Sequence, residues 1–219
     1  DGLLESYIRL SLIFTGSQHL EQQSTNYWYT LISKSLYRRI SFLSERHALR
    51  LITEPVREQV IYPRGIPKSI VRLTGGQPFY TQVVCQNLVD RLNESRRNRV
   101  RKGDMEAVVQ ELVDNPPPQI LYFWDGLNME QQNVLSLLGE VLENFSRYAS
   151  AEMLMNFAQE QKLNLEMETP NWEGVLDELF IREILERKQV SGDGIYEYRF
   201  RVDLFRLWVR QAHSVWEVE

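Results

Sequence analysis

The triplet Pro116-Pro117-Pro118 constrains this chain more than any other feature. Three successive residues without a backbone N–H cannot sit inside a helix or a sheet ladder, so regular structure must stop there and restart. The triplet reads as a linker between two parts. Charge changes sign at the same place. Residues 1–119 hold 16 Lys and Arg against 12 Asp and Glu, a net +4, whereas residues 120–219 hold 9 against 18, a net −9. That asymmetry predicts two units with different partners. The first suits anionic groups; the second is a poor candidate for nucleic acid.

Each part has enough material for a core of its own in a chain of 219 residues. No apolar run approaches the roughly 18–20 residues of a membrane span, and the N-terminus lacks the pattern of a signal peptide. A single cysteine, Cys85, excludes an internal disulfide and a cysteine-based zinc cage. A reducing, cytoplasmic setting is the expectation.

The chain begins without Met and drops straight into "SYIRLSLIFTGS", where Leu10, Leu12, Ile13 and Phe14 form a dense apolar run ended by Gly16-Ser17. Such a run fits a strand covered on both faces, as in a parallel α/β sheet. One or two strands make no sheet, so the chain is expected to be the C-terminal part of something larger. "ISFLS" (Ile40, Phe42, Leu43) is a second strand candidate. Ser44 then predicts the N-cap of a helix over residues 45–58, with Ala48, Leu51 and Ile52 on one face and Pro55 ending or kinking it. A short helix over 66–73 should close at Gly75 or Gly76. Pro78 opens the next helix at its first turn, with Phe79, Val83, Val84, Leu88 and Leu92 as its buried stripe. "RRNRVRK" (Arg96, Arg97, Arg99, Arg101, Lys102) is an exposed basic run, read as a solvated loop. Asp104 should cap a helix through about Leu112 with Met105, Val108 and Val109 inward.

Beyond the prolines, Asn128, Ser150 and Asn171 predict three helix starts. The expected apolar stripes are Val134, Leu135, Leu138, Val141 and Leu142, then Leu154, Phe157 and Ala158, then Trp172, Val175, Leu176 and Leu179. Strands around 184–189 and 196–201 flank the turn Ser191-Gly192-Asp193-Gly194. A last helix carries Leu204, Phe205, Trp208 and Val209. Three helices followed by a hairpin make a winged helix-turn-helix.

Catalytic material is sparse. His19, His47 and His213 are scattered without partners at metal-ligand spacing, and Cys85 sits among Val83, Val84 and Leu88 as a small buried side chain. Neither GxxxxGK[ST] nor GxSxG occurs. The expected third helix, "NWEGVLDELFIRE", carries Glu173, Asp177 and Glu178 with Arg182 as its cation. That is the wrong sign for phosphate contact.

Four segments in order carry a resemblance to the C-terminal portion of the AAA+/STAND class of P-loop NTPases, covering nearly the whole chain. "LSLIFTGS" resembles the strand ending at the sensor 1 position. "LYRRISFLSERHALRLITEPV" is similar to the end of the NTPase core running into the helical lid. "LTGGQPFYTQVVCQNL" resembles the G-x-P segment of the lid, with Gly76-Gln77-Pro78 in the motif positions. "YRFRVDLFRLWVRQ" is similar to the end of the winged helix that follows. The fold so implied is mainly α with a small α/β remnant: residues 1–44 from the NTPase core, 45–118 the helical lid, and 119–219 the winged-helix domain.

The resemblance further implies that Thr15, Gly16 and Ser17 face the terminal phosphate of a nucleotide and that Gly75, Gly76 and Pro78 form a cofactor-facing segment of the lid. Arg38 and Arg39 are candidates to sense phosphate charge, in cis or toward a neighbouring subunit. ATP or ADP with Mg would belong to the parent protein. The phosphate-binding loop and the metal-binding acidic strand are absent from these residues, so the chain alone is expected neither to hold nucleotide tightly nor to hydrolyse it. Partners so implied are the upstream core of the same polypeptide and, on activation, further copies, in a bacterial signalling or defence ATPase. Two alternatives stand beside it: a winged-helix DNA-binding transcription regulator, and a nucleotide-free protein-interaction adaptor.

Overall fold

Prolines, glycines and polar caps set the element boundaries of this chain. The computed structural model describes Ile13, Leu36, Arg38 and residues 40–163, 171–190 and 194–216. Contacts divide the chain into Asp1–Ser41 and Phe42–Glu219. The second unit is mainly helical, with nine helices and one two-stranded antiparallel hairpin among the described residues. Thr15, Gly16, Ser17 and Arg39 lie outside the described residues, as does the expected sensor-type strand apart from Ile13, which is 90% exposed and in no strand.

Helix α1, Glu45–Thr53, stops before Pro55, with Ala48 and Ile52 buried and Leu51 half-buried. The expectation of a second strand just ahead of it fails. Residues 40–44 form no strand, and Ile40 is 95% exposed. This segment spends a backbone group on a turn instead: Leu43 N–H donates to Gly76 O at 2.9 Å. Helix α2, Ile66–Thr74, ends at left-handed Gly75, and α3, Pro78–Glu94, starts three residues beyond that glycine. Tyr80 and Thr81 join Val84, Leu88 and Leu92 in the buried face of α3, while Phe79 and Val83 are only partly covered.

Helix α4, Lys102–Asp114, begins earlier than Asp104. That carboxylate is not the cap; from the first turn it reaches back to accept the Arg101 N–H at 2.7 Å. The three prolines form a tight corner rather than a spacer. Pro117 is buried and Pro118 is already the first residue of α5, Pro118–Asp125, a helix the sequence did not signal. Proline at the first position explains this, since its missing N–H would be unpaired there anyway.

Helix α6, Met129–Val141, α7, Ala151–Glu160, and α8, Trp172–Ile181, are each capped by the expected side chain: Asn128, Ser150 and Asn171 accept from Gln131, Met153 and Gly174 N–H. Strands β1, Leu185–Gln189, and β2, Tyr196–Phe200, pair with Leu185 opposite Phe200 and Gln189 opposite Tyr196. A bridge between Ala149 and Tyr198 adds the segment before α7 to the hairpin edge. Helix, bridge, two helices and hairpin in that order make the winged helix-turn-helix arrangement.

Helix α9, Asp203–Ala212, closes the unit. It packs against α2, α4, α6 and β2, so it touches helices on both sides of the proline corner. Its Trp208 and Phe205 meet Trp124 of α5 edge to face, and His213 stacks on Trp124 at 4.1 Å, a packing role for that imidazole. Arg206, 4% exposed, donates to Asp203 Oδ1 at 2.7 Å and to Leu142 O at 2.9 Å. A paired buried cation thus satisfies a carbonyl at the end of α6.

Candidate functional site

The turn between α2 and α3 is the best-defined of the expected site segments. Gly75 and Gly76 have φ of +61° and +77°, a left-handed pair that L side chains adopt only with strain. Space is equally restrictive. A Cβ on Gly75 would lie 2.3 Å from Arg201 O, and one on Gly76 would lie 2.6 Å from Leu43 O. Two backbones therefore press on the turn, one from the chain arriving at α1 and one from the end of β2. The Arg201 guanidinium lies 3.7 Å from the centroid of the Phe42 ring, closing the same junction from outside. Three parts of the unit meet at two glycines.

Below the glycines the turn is held by hydroxyls. Gln77 Oε1 accepts from Tyr80 N–H at 2.9 Å, so the cap of α3 is Gln77 itself. Thr74 and Thr81, both fully buried, lie 2.9 Å apart through their Oγ1 atoms, within reach of Ile70 O and Gln77 O. Each hydroxyl has one proton, so one donates to its neighbour and the other to a carbonyl. Thr74 and Thr81 were not picked out from the sequence, and Gln77 only as the middle of the G-x-P segment, not as a cap; a Thr at the end of one helix and another in the first turn of the next was the available signal.

This geometry bears on a nucleotide. The close approach that glycine permits is taken up by the chain's own backbone, and carbonyl oxygens line that side. Carbonyl oxygens repel phosphates, and Pro78 has no N–H to offer. At its two glycines the Gly75–Pro78 turn therefore meets backbone carbonyl oxygens rather than hydrogen-bond donors. Arg38 is exposed and in no helix or strand.

The winged face offers little to a polyanion. On α8, Glu173 and Glu178 are exposed, and Arg182 is committed to Gln131 Oε1 at 2.9 Å and Gly126 O at 3.1 Å. The cations of the hairpin are spent in the same way. Arg187 lies between the rings of Phe180 and Tyr196, 4.2 and 4.1 Å from their centroids, and bonds Asp177 at 2.5 Å. Arg199 lies between Phe145 and Tyr148 at 4.4 Å from each and pairs with Glu186. Lys188 pairs with Glu197 at 2.9 Å, and Arg201 with Glu183 at 2.8 Å. Burial first, and the hydrogen bond to Asp177 second, push the Tyr198 phenol up to about 12. These groups brace the wing.

Among the described residues no group of three or more His, Cys, Asp or Glu is placed to hold a metal ion. Cys85 is half-buried on α3, and burial pushes its thiol up to about 11, against the opposite pull of the Tyr62 hydroxyl beside it. A thiol so protonated at neutral pH is a poor nucleophile.

No protein-family model and no curated protein matches the chain. Among solved structures it is similar to a chain of the Drosophila ORC bound to DNA, at 10% identity and a TM-score of 0.33, over 83% of this chain and 48% of that one. The chain thus spans about half the length of that neighbour. A likeness of this size fixes neither fold nor function.

Proposed function

We propose that this chain is the regulatory C-terminal portion of a signalling ATPase of the AAA+/STAND class. Helices α1–α4 serve as its lid and the winged helix-turn-helix as a clasp on that lid. The phosphates of ATP or ADP, and Mg, belong to an upstream core of the same polypeptide. The lid contributes mechanical coupling rather than charge. The observation that carries this reading is the junction at Gly75-Gly76, where the segment entering from residue 42, the α2–α3 turn and the end of the hairpin are in backbone contact. Movement of the entering segment has to be passed to both other parts, because an interface without free space cannot yield locally. With ADP bound, the winged module is held against the lid and the protein stays unassembled; exchange for ATP releases it and lets copies associate.

The test uses the protein expressed from its complete coding region, which must contain GxxxxGK[ST]. Phe42→Ala loosens the junction without entering it, and Gly76→Leu with Pro78→Ala disrupts it. Both are expected to weaken ADP affinity and shift the protein toward the assembled state, read by nucleotide titration and light scattering. Unchanged affinity and assembly in correctly folded variants would sink the lid role. A complete protein without the phosphate-binding loop would make this module a nucleotide-free adaptor.

A further inference from the structure

A basic hollow lies away from the glycine turn. It follows the far end of α3, whose 17 residues span about 25 Å. About 660 Å³ in volume, it is lined by Arg96, Arg97, Arg99 and Arg101 with Asn93 and Asn98, over Leu92. The loop that carries these side chains is fixed. Its backbone is clamped to Ile61 by the Ile61 N–H to Asn98 O bond at 2.7 Å and the Val100 N–H to Ile61 O bond at 3.1 Å. Arg97 is locked on Asp104 by two hydrogen bonds of 3.0 and 2.8 Å and donates to Arg99 O at 3.3 Å. Asp104 therefore cancels the charge of Arg97. Arg96, Arg99 and Arg101 are exposed and form no ion pair among the described residues.

Three uncompensated guanidiniums on a rigid loop repel each other, and a multivalent anion relieves that repulsion while meeting their planar donor forks. The positive end of the α4 dipole also faces the hollow, and the negative end of α3 opposes it. These half-charges cancel, so the arginines decide the sign. The asparagine amides add donors. None of the lining residues is aromatic, so the hollow has no platform for a base. The cations of the wing, by contrast, are already paired.

We propose that this hollow is a binding site for a compact oligophosphate, a group of several linked phosphates. Its source is either a free polyphosphate or the phosphate chain of a nucleotide. The reading does not depend on the lid proposal.

The experiment is calorimetric titration of the 1–219 chain with sodium tripolyphosphate, ATP, adenosine and a single-stranded oligonucleotide, at 50 and 200 mM salt. One saturable site for tripolyphosphate is expected, with no adenosine binding and weaker affinity at the higher salt. ATP matching tripolyphosphate assigns the site to phosphate chains in general; ATP binding much more weakly assigns it to free polyphosphate. Arg96 has φ of +49°, the position that closes the α3 turn and that glycine favours. Arg96→Gly therefore keeps or raises the melting temperature, and should still weaken tripolyphosphate binding at least tenfold. Arg99→Gln with Arg101→Gln should do the same, while Arg46→Gln, which removes one exposed charge from α1 as Arg96→Gly does from the hollow, should not. No tripolyphosphate binding, or binding equally reduced by Arg46→Gln, overturns the proposal. Tighter binding of the oligonucleotide, lost in the Arg96 variant, replaces it with a nucleic-acid contact.

Discussion

Asp104 shows how one side chain can organise a corner. It accepts from the Arg101 N–H and from both terminal nitrogens of Arg97, with Arg91 3.5 Å away. The Arg97 hydrogen bonds, foremost among these, hold its carboxyl at about 2, against an ordinary value of 3.8. A carboxylate depressed on folding stabilises the fold above its unfolded pKa and loses that contribution as pH falls through its folded one. The stabilisation should therefore be complete above about pH 5 and fade between about pH 4 and pH 2, amounting to roughly 1–2 kcal/mol. Asp104→Asn is expected to cost about 1–3 kcal/mol near pH 7, with the gap to the parent narrowing below pH 4, in urea unfolding followed across pH. The sequence indicated that Asp104 belonged at a helix start. It did not show the Arg97 pairing, because a run of five basic residues reads as surface whether or not one of them folds back.

Helix ends divide into legible and hidden ones. Asn128, Ser150 and Asn171 announce their helices because a short polar side chain suits a cap and little else. Three helices finish without an announcement. Helices α3, α7 and α8 close in the same turn, with Arg96, Lys162 and Glu183 at φ of +49°, +55° and +60°. The next residue donates back across it in each case, Arg97 to Leu92, Leu163 to Ala158 and Ile184 to Leu179. Capture of the last carbonyls sets these ends, so the residue at the left-handed position need not be glycine. At Gly75 it must be, and a comparison isolates the reason. Gly65, at φ +96°, has nothing within 4 Å of its Cβ position, whereas Gly75 faces Arg201 O. Both Ala variants should lose about 1–2 kcal/mol to backbone strain, and Gly75→Ala a further 1–3 kcal/mol or so to overpacking. Equal losses in chemical denaturation would mean that the contact with the hairpin end yields freely.

At the scale of the whole molecule, the proline triplet and the charge reversal predicted two units, and the contacts place the described residues from 42 on in one. The apolar stripes were legible because period and caps agreed along each helix; the seam was not, because α9 shows one amphipathic pattern whichever helices it covers. Its covered partners are α2 and α4 before the prolines and α6 after them, and Gln211 adds a 2.7 Å bond to Asp114. Removing residues 203–219 should therefore leave neither half with a cooperative thermal transition, whereas the intact chain should melt the two halves together. Calorimetry and limited proteolysis on both sides of Pro117 check this. The seam also sets an order of events during synthesis. The ribosome makes α9 after every helix that it covers, so a nascent chain has already released α2, α4 and α6 with their apolar faces bare. Until α9 emerges, those faces are what a chaperone would recognise, and the closing step waits for that helix.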